Sequence, residues 1–219
     1  RYGDQDAPKE FDLVLYDEGF AAPDGAFVLS RTRPETTLKQ IVARRDGLAL
    51  PLARHFPPFR KPVTSSIVQS VSRENALFAI ATSLPNVVPC IFELPWAMGE
   101  FASDTVFLTL NQMRMAFLIA AACGHEVGFA NQRLEMLSIA GGAFGWRALA
   151  RELVGKVPFG GGLIPKGAIA YAGTYVIGKG LARLHCTGRR HSRAERRALY
   201  QEAYRQGREV AQSALQKRP

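Results

Sequence analysis

Cysteine, histidine and long uncharged runs are scarce in this chain, and each scarcity removes a class of function. Three cysteines, Cys90, Cys123 and Cys186, are scattered over 219 residues, and no two form a CxxC pair. An odd, dispersed set signals neither a zinc framework nor a disulfide framework. It fits a reducing compartment, where cysteine serves as a small buried hydrophobe. Cys123-Gly124-His125 and His185-Cys186 come nearest to ligand sets, but no second pair at metal spacing supports them. The four histidines lie in dissimilar contexts, and no GxSxG elbow is present. Nothing here has the pattern of a catalytic, cofactor or metal site, and the chain reads as a non-enzyme.

Phosphate-binding loops are also missing, despite 20 glycines. A P-loop needs GxxxxGK[ST], so that amides cradle phosphate and a hydroxyl reaches magnesium. Gly155-Lys156 is followed by Val157, and Gly178-Lys179 by Gly180. The Gly160–Gly162 run has no Lys and hydroxyl at the required offset. No strand precedes these glycines, so a dinucleotide fingerprint fails as well.

Long apolar runs are limited to one. Residues 75–92 carry no charge over 18 positions, a length at which a membrane span becomes thinkable. Pro85 and Pro89 interrupt it, because proline removes a donor and clashes with the preceding turn. A broken or re-entrant segment is the better reading.

What is abundant is positive charge: 28 Lys and Arg stand against 19 Asp and Glu, a net +9. From Gly188 to Pro219 nine basic residues face three Glu, so the tail holds six of those nine charges. A basic tail of this kind points to anionic lipid, nucleic acid or an acidic partner, or else to a solvated helix face. Nucleic acid ranks last, since Tyr200 and Tyr204 are the only interleaved aromatics. The opening Arg1, with no charged-then-apolar leader after it, reads as a fragment or processed piece of a longer protein.

Along the chain the fold class is mainly α. Residues 11–30 alternate as two short strands around Pro23-Asp24-Gly25. Pro34 opens a helix that Gly47 stops. This segment, 1–47, is a small α/β patch, the edge of an upstream domain. Residues 48–187 follow as a helical domain. Leu48–His55 is a short amphipathic piece. Pro62 opens a helix to Leu84 whose apolar face holds Val63, Ile67, Val71, Leu77 and Phe78.

Asp104 is placed to cap a helix from Thr105 to Cys123, ended by Gly124. Its apolar side holds Val106, Phe107, Leu110, Met113, Phe117, Leu118 and Ala121, and Asn111, Gln112 and Arg114 interrupt it. Asn131 is placed to cap the next helix, through Leu134, Leu137, Phe144 and Leu149. Glycines notch this helix at its centre and recur in the helix from Lys166 to Leu184. Small residues let backbones approach closely, so a close antiparallel pair is expected through Gly141, Gly145, Ala170 and Gly173. Arg147, Arg151, Glu152 and Lys156 cluster near one helix and are read as a solvated face, ahead of an ion pair or a headgroup site. Residues 188–219 form a basic amphipathic helix, opened by the capping box Ser192-x-x-Glu195. Leu199, Ala203, Val210 and Ala214 lie on one side of it. Arg193, Arg196, Arg197, Arg205 and Arg208 spread over the flanks and outer face as an anionic-surface site.

An ordered series of motifs spans residues 84–184: Pro85 and Pro89 around a loop, Asp104 before a helix, then Asn111-Gln112-Met113 leading to Gly124. Arg147-Ala148-Leu149-Ala150-Arg151, Lys156-Val157-Pro158-Phe159-Gly160 and Ala170-Tyr171-Ala172-Gly173-Thr174-Tyr175-Val176-Ile177-Gly178 follow. About half the chain thereby resembles the YcjF-like, GTPase-associated bacterial family, a domain of unknown function. The resemblance implies a helical module at the cytoplasmic face of the inner membrane, peripheral or partly inserted. It implies a GTPase partner upstream or in trans, and no catalytic residues. No G motif lies in this span, which is where the chain departs from fused members. The competing reading is a soluble, cytoplasmic helical domain for protein–protein interaction or homodimerisation.

Overall fold

A computed structural model describes residues 11–82, 104–140 and 162–216. The fold is mainly α, a helical bundle with a two-stranded sheet near its N-terminus. Strands β1 (Leu15–Asp17) and β2 (Phe27–Leu29) pair in parallel, Tyr16 opposite Val28. The first strand therefore begins where the alternating pattern from Phe11 was expected to end. Helix α1 (Pro34–Arg44) starts on a proline whose fixed φ suits the first turn, with Glu35 near the positive helix end and Arg44 near the negative one. Thr37 anchors β2 to α1, its hydroxyl donating to the Val28 carbonyl at 2.8 Å.

A short 3₁₀ turn (Asp46–Leu48) leads into α2 (Ala49–His55), and a second (Pro57–Phe59) into α3 (Arg60–Ala81). Helix α4 spans Asp104–Ala122, residues 133–140 form α5, α6 spans Leu163–Thr187 and α7 spans Arg193–Gln216. Asp104 is thus the first helical residue of α4. Helix α4 ends in a Schellman arrangement: Gly124 N–H donates to the Ala121 carbonyl and His125 N–H to that of Ala120, both at 3.0 Å. Gly124 has φ +86°, which a side chain would strain.

Helix α6 is the hub. It runs antiparallel to α3, with Gly167 against Ile80 and Gly178 against Val68. It runs alongside α4, whose Met115 also meets Gly178. Helix α7 returns antiparallel along its other side, with Gly207 seated on Ala168 and Tyr171. A bare α-carbon at these crossings lets the backbones close, and the dispersion contacts that follow offset the helix-propensity loss of about 1 kcal/mol per glycine.

The main core gathers Val68, Val71, Met115, Ala116, Ile119, Tyr171, Ala172 and Ala203. A second cluster joins Phe27, Leu38, Ile41 and Phe59 to Val63 of α3 and Ala122 of α4, so the N-terminal patch packs onto the bundle. Fully burying a side chain such as Ile41 or Val68 contributes about 1.5–3 kcal/mol.

Several expected faces turn out differently. In α4 the buried seam is Met115, Ala116, Ile119 and Ala120, whereas Val106 and Leu110 are exposed. The helix is apolar almost all round, so its seam is decided by which residues meet Gly178 and the polar groups of α3. In α3, Val63 and Val71 are buried as expected, but Leu77 is exposed and Asn75 is fully enclosed. In α5, Met136 and Ile139 point inward, while Leu134 and Leu137 face out. The turn before α5 is held by Gln132, which accepts from the Gly128 N–H and donates to the Glu126 carbonyl, both at 2.9 Å. Asn131 only donates to that same carbonyl, at 3.5 Å.

A β-carbon added at Gly207 would lie 2.8 Å from the Tyr171 β-carbon and 2.9 Å from the Ala168 α-carbon. One at Gly180, also in a helix, would meet nothing within 4 Å. Gly207→Ala should therefore destabilise by about 1–3 kcal/mol through overpacking. Gly180→Ala should stabilise by about 0.5–1 kcal/mol through helix propensity. Urea unfolding of both variants checks this, and a neutral Gly207→Ala contradicts the close seating of α7.

Candidate functional site

Among the described residues, three polar groupings bear on function. The first sits where α3, α4 and α6 meet. Asn75 Nδ2 donates to Thr174 Oγ1 at 2.9 Å and, more weakly, to the Leu108 carbonyl at 3.4 Å. Asn111 Nδ2 donates to Asn75 Oδ1 at 2.9 Å, and Gln112 Nε2 to Thr174 Oγ1 at 3.2 Å. Asn75, Gln112 and Thr174 are all buried. Thr174 thus accepts from two amides on two different helices, filling both lone pairs of its oxygen. Leaving such a group unpaired in the interior costs about 1–3 kcal/mol. Gln112 thus reaches Thr174 directly and Asn111 reaches it through Asn75.

The second grouping lies at the end of the bundle where α4 and α6 both finish. Cys123 and Cys186 are joined by a disulfide, with α-carbons 5.4 Å apart. The expectation of separate thiols fails for this pair. Parallel α4 and α6 bring residues 63 positions apart in sequence side by side, and a disulfide is characteristic of oxidising compartments.

Beside the disulfide, His125 Nε2–H donates to the His185 carbonyl at 2.9 Å, and the two imidazoles are 5.0 Å apart. His185 Nε2 faces Glu135 Oε1 at 3.7 Å. Burial holds the His185 pKa below its ordinary value, His125 adds to that, and Glu135 opposes both. The two His–Cys neighbourhoods of the sequence do converge. Their sulfurs are bonded to each other, and among the described residues no group of three His, Cys, Asp or Glu is placed to hold a metal.

The third grouping is α7. Its capping box forms as the sequence indicated: Ser192 N–H donates to Glu195 Oε2 at 2.7 Å, and Glu195 N–H to Ser192 Oγ at 3.2 Å. Arg183 also donates to Glu195, at 2.7 Å, and holds that carboxyl down to about 2, assisted by Ser192. Ala203, Gly207 and Ala211 form the buried side, with Leu199 and Val210 partly covered. Arg193, Arg196, Arg197, Arg205 and Arg208 are all exposed, and Arg205 pairs with Glu202.

Of the expected helix-pair residues, Gly173 is buried in α6 and Ala170 half-buried. Gly141 and Gly145 lie outside the described residues, as do Arg147, Arg151, Glu152, Lys156 and most of the uncharged segment 75–92. No described helix is long and apolar enough to cross a membrane. Set against known protein families, curated proteins and solved structures, the chain finds no match.

Because His185 is a base whose pKa is lowered on folding, the unfolded chain takes up its proton first as pH falls. The contribution of this site to stability is thus intact above about 6.5 and is lost progressively as pH drops below it. Urea unfolding from pH 7.5 to 5 (roughly the window around the free imidazole value) should show stability falling, and His185→Gln should flatten that fall. An identical pH profile in the variant contradicts the assignment.

Proposed function

We propose that the chain is a non-enzymatic, membrane-associated helical module of the YcjF-like kind. It would couple a GTPase or similar switch protein, upstream or in trans, to the cytoplasmic membrane surface. The observation that carries the reading is the two-sidedness of α7. Its small residues seat on α6, while five arginines face solvent. An apolar side so modest docks on protein and does not insert deeply in lipid, leaving the charged side for anionic headgroups. Each basic residue near such a surface contributes about 1 kcal/mol, screened beyond roughly 8 Å at physiological salt.

The other ground for the reading is the resemblance itself, carried by the ordered motif series of residues 84–184. The GTPase partner and the cytoplasmic side rest on that resemblance alone. The Cys123–Cys186 pair fits an oxidising side better. A second reading, a soluble helical interaction or homodimerisation domain, is favoured by the near-neutral mean hydropathy of −0.05.

Sedimentation with phosphatidylglycerol-containing vesicles separates the two. Parent protein should co-sediment, and binding should weaken with added salt and in the Arg196→Glu, Arg197→Glu double variant, by roughly tenfold or more if four units of charge are reversed near the surface. Equal binding by the double variant removes α7 from the membrane contact, and no binding by the parent favours the second reading.

A further inference from the structure

The end of the bundle stapled by the disulfide presents apolar side chains that the described fold leaves uncovered. Phe129 is 71% exposed, Leu134 73% and Leu137 69%, and Val127 is 47% exposed. Leu134 and Leu137 are three apart on α5 and share its outer face, opposite buried Met136 and Ile139. Phe129 stands on the preceding loop, edge-on to Phe117 with ring centres 5.2 Å apart. Single exposed apolar residues are ordinary on a protein surface. A concentration of them on one loop and helix face marks an interaction site.

The surrounding charge indicates what kind of partner. The Cys123–Cys186 bond and the His125–His185 contact hold the chain leaving α6 against this corner. That chain carries Arg189 and Arg190, both exposed, and α5 carries exposed Arg133 beside Leu134. The acids at this end are mostly engaged: Glu135 turns inward to His185, and Glu195 is taken by Arg183. Glu126 alone is left exposed without a carboxylate contact among the described residues. An apolar tip with an arginine rim matches the two layers of an anionic bilayer surface. Side chains of this kind enter roughly 5–10 Å, to the headgroup–acyl boundary, while guanidinium groups meet the phosphates.

We infer that this corner is the lipid-inserting contact of the molecule. Phe129, Leu134 and Leu137 enter the bilayer boundary, and Arg133, Arg189 and Arg190 hold the phosphate layer. The inference rests on the membrane reading above and moves the deepest contact from the flank of α7 to the end of the bundle.

The test uses the full chain with vesicles of phosphatidylcholine plus phosphatidylglycerol. Because the three side chains are exposed, a Phe129→Ser, Leu134→Ser, Leu137→Ser variant should stay folded, its urea midpoint lowered only by the lost Phe129–Phe117 contact and the lower helix propensity of serine. Its vesicle affinity should fall at least about tenfold. In a separate Leu134→Trp variant whose native Trp96 and Trp146 are replaced by Phe, indole emission should shift to the blue on vesicle addition and be quenched by lipids brominated in the acyl chain. If the parent binds and the triple variant binds equally well, the corner is excluded while the membrane reading stands. If the parent binds neither these vesicles nor phosphatidylcholine alone, both fail. Unquenched indole emission from bound L134W protein overturns insertion. A parent dimer that the triple substitution dissociates makes the patch a self-association face and overturns the proposal.

Discussion

A threonine hydroxyl that accepts from asparagine on one helix and glutamine on another can be satisfied in only one relative placement of three helices. Thr174 stands in that position, between Asn75 of α3 and Gln112 of α4, with Asn111 completing the set through Asn75. Apolar contacts between these helices are non-directional and tolerate sliding, whereas amide-to-hydroxyl bonds do not. Stranding any one of the buried groups costs about 1–3 kcal/mol, a large part of a domain's net stability of about 5–15 kcal/mol. The small residues of α6 bring the backbones close, and the node sets where along each helix they stop. Once that register is fixed, Gly178 falls opposite Val68 and Met115, and the ends of α4 and α6 align so that Cys123 meets Cys186.

What could be read from the sequence follows from the range of each signal. Local chemistry was legible: Pro34 at a helix start, Ser192 with Glu195 as a capping box, Gly124 as a helix end. Each depends on neighbours within five residues. The apolar face of α4 was not legible, because a helix with Leu, Ile, Phe and Met on every side has no preferred period. Asn111 and Gln112 looked like interruptions of an apolar stripe. They are instead the residues that identify the true seam, since buried polar groups need partners and partners lie inside. Leu134 and Leu137 sit at helical spacing, yet α5 buries Met136 and Ile139 and leaves both leucines exposed. The disulfide joins positions 63 apart, and nothing in a single sequence pairs them. The charge of α7 is legible in composition, and its arginines are exposed. The exposure of Phe129 is not legible in the sequence, because exposure is a tertiary property.

The two surfaces proposed for lipid contact are compatible through the geometry of the α6–α7 corner. Arg183 and Ser192 both bond Glu195 there, so the start of α7 is tied to the end of α6. The turn carrying Arg189 and Arg190 lies between them, next to the disulfide. A tip anchored at Phe129, Leu134 and Leu137 would leave α7 rising from the same end, with its first arginines nearest the headgroups. Charge along α7 would then tune affinity and orientation, while the apolar tip supplies depth. A switch partner would be held at a defined angle, because the node prevents α6 from sliding against α3.

The most direct measurement of the register claim is a double-mutant cycle on Asn75→Leu and Thr174→Val, followed by urea unfolding. Each single substitution should destabilise by about 1–3 kcal/mol, since Thr174→Val takes the shared acceptor from Asn75 and Gln112, and Asn75→Leu takes the acceptor from Asn111 and one of two donors from Thr174. The double variant should lose less than the sum, with a coupling of about 0.5–3 kcal/mol. Additivity within about 0.3–0.5 kcal/mol, or neutral single variants, would contradict the claim that this node holds the three helices in place.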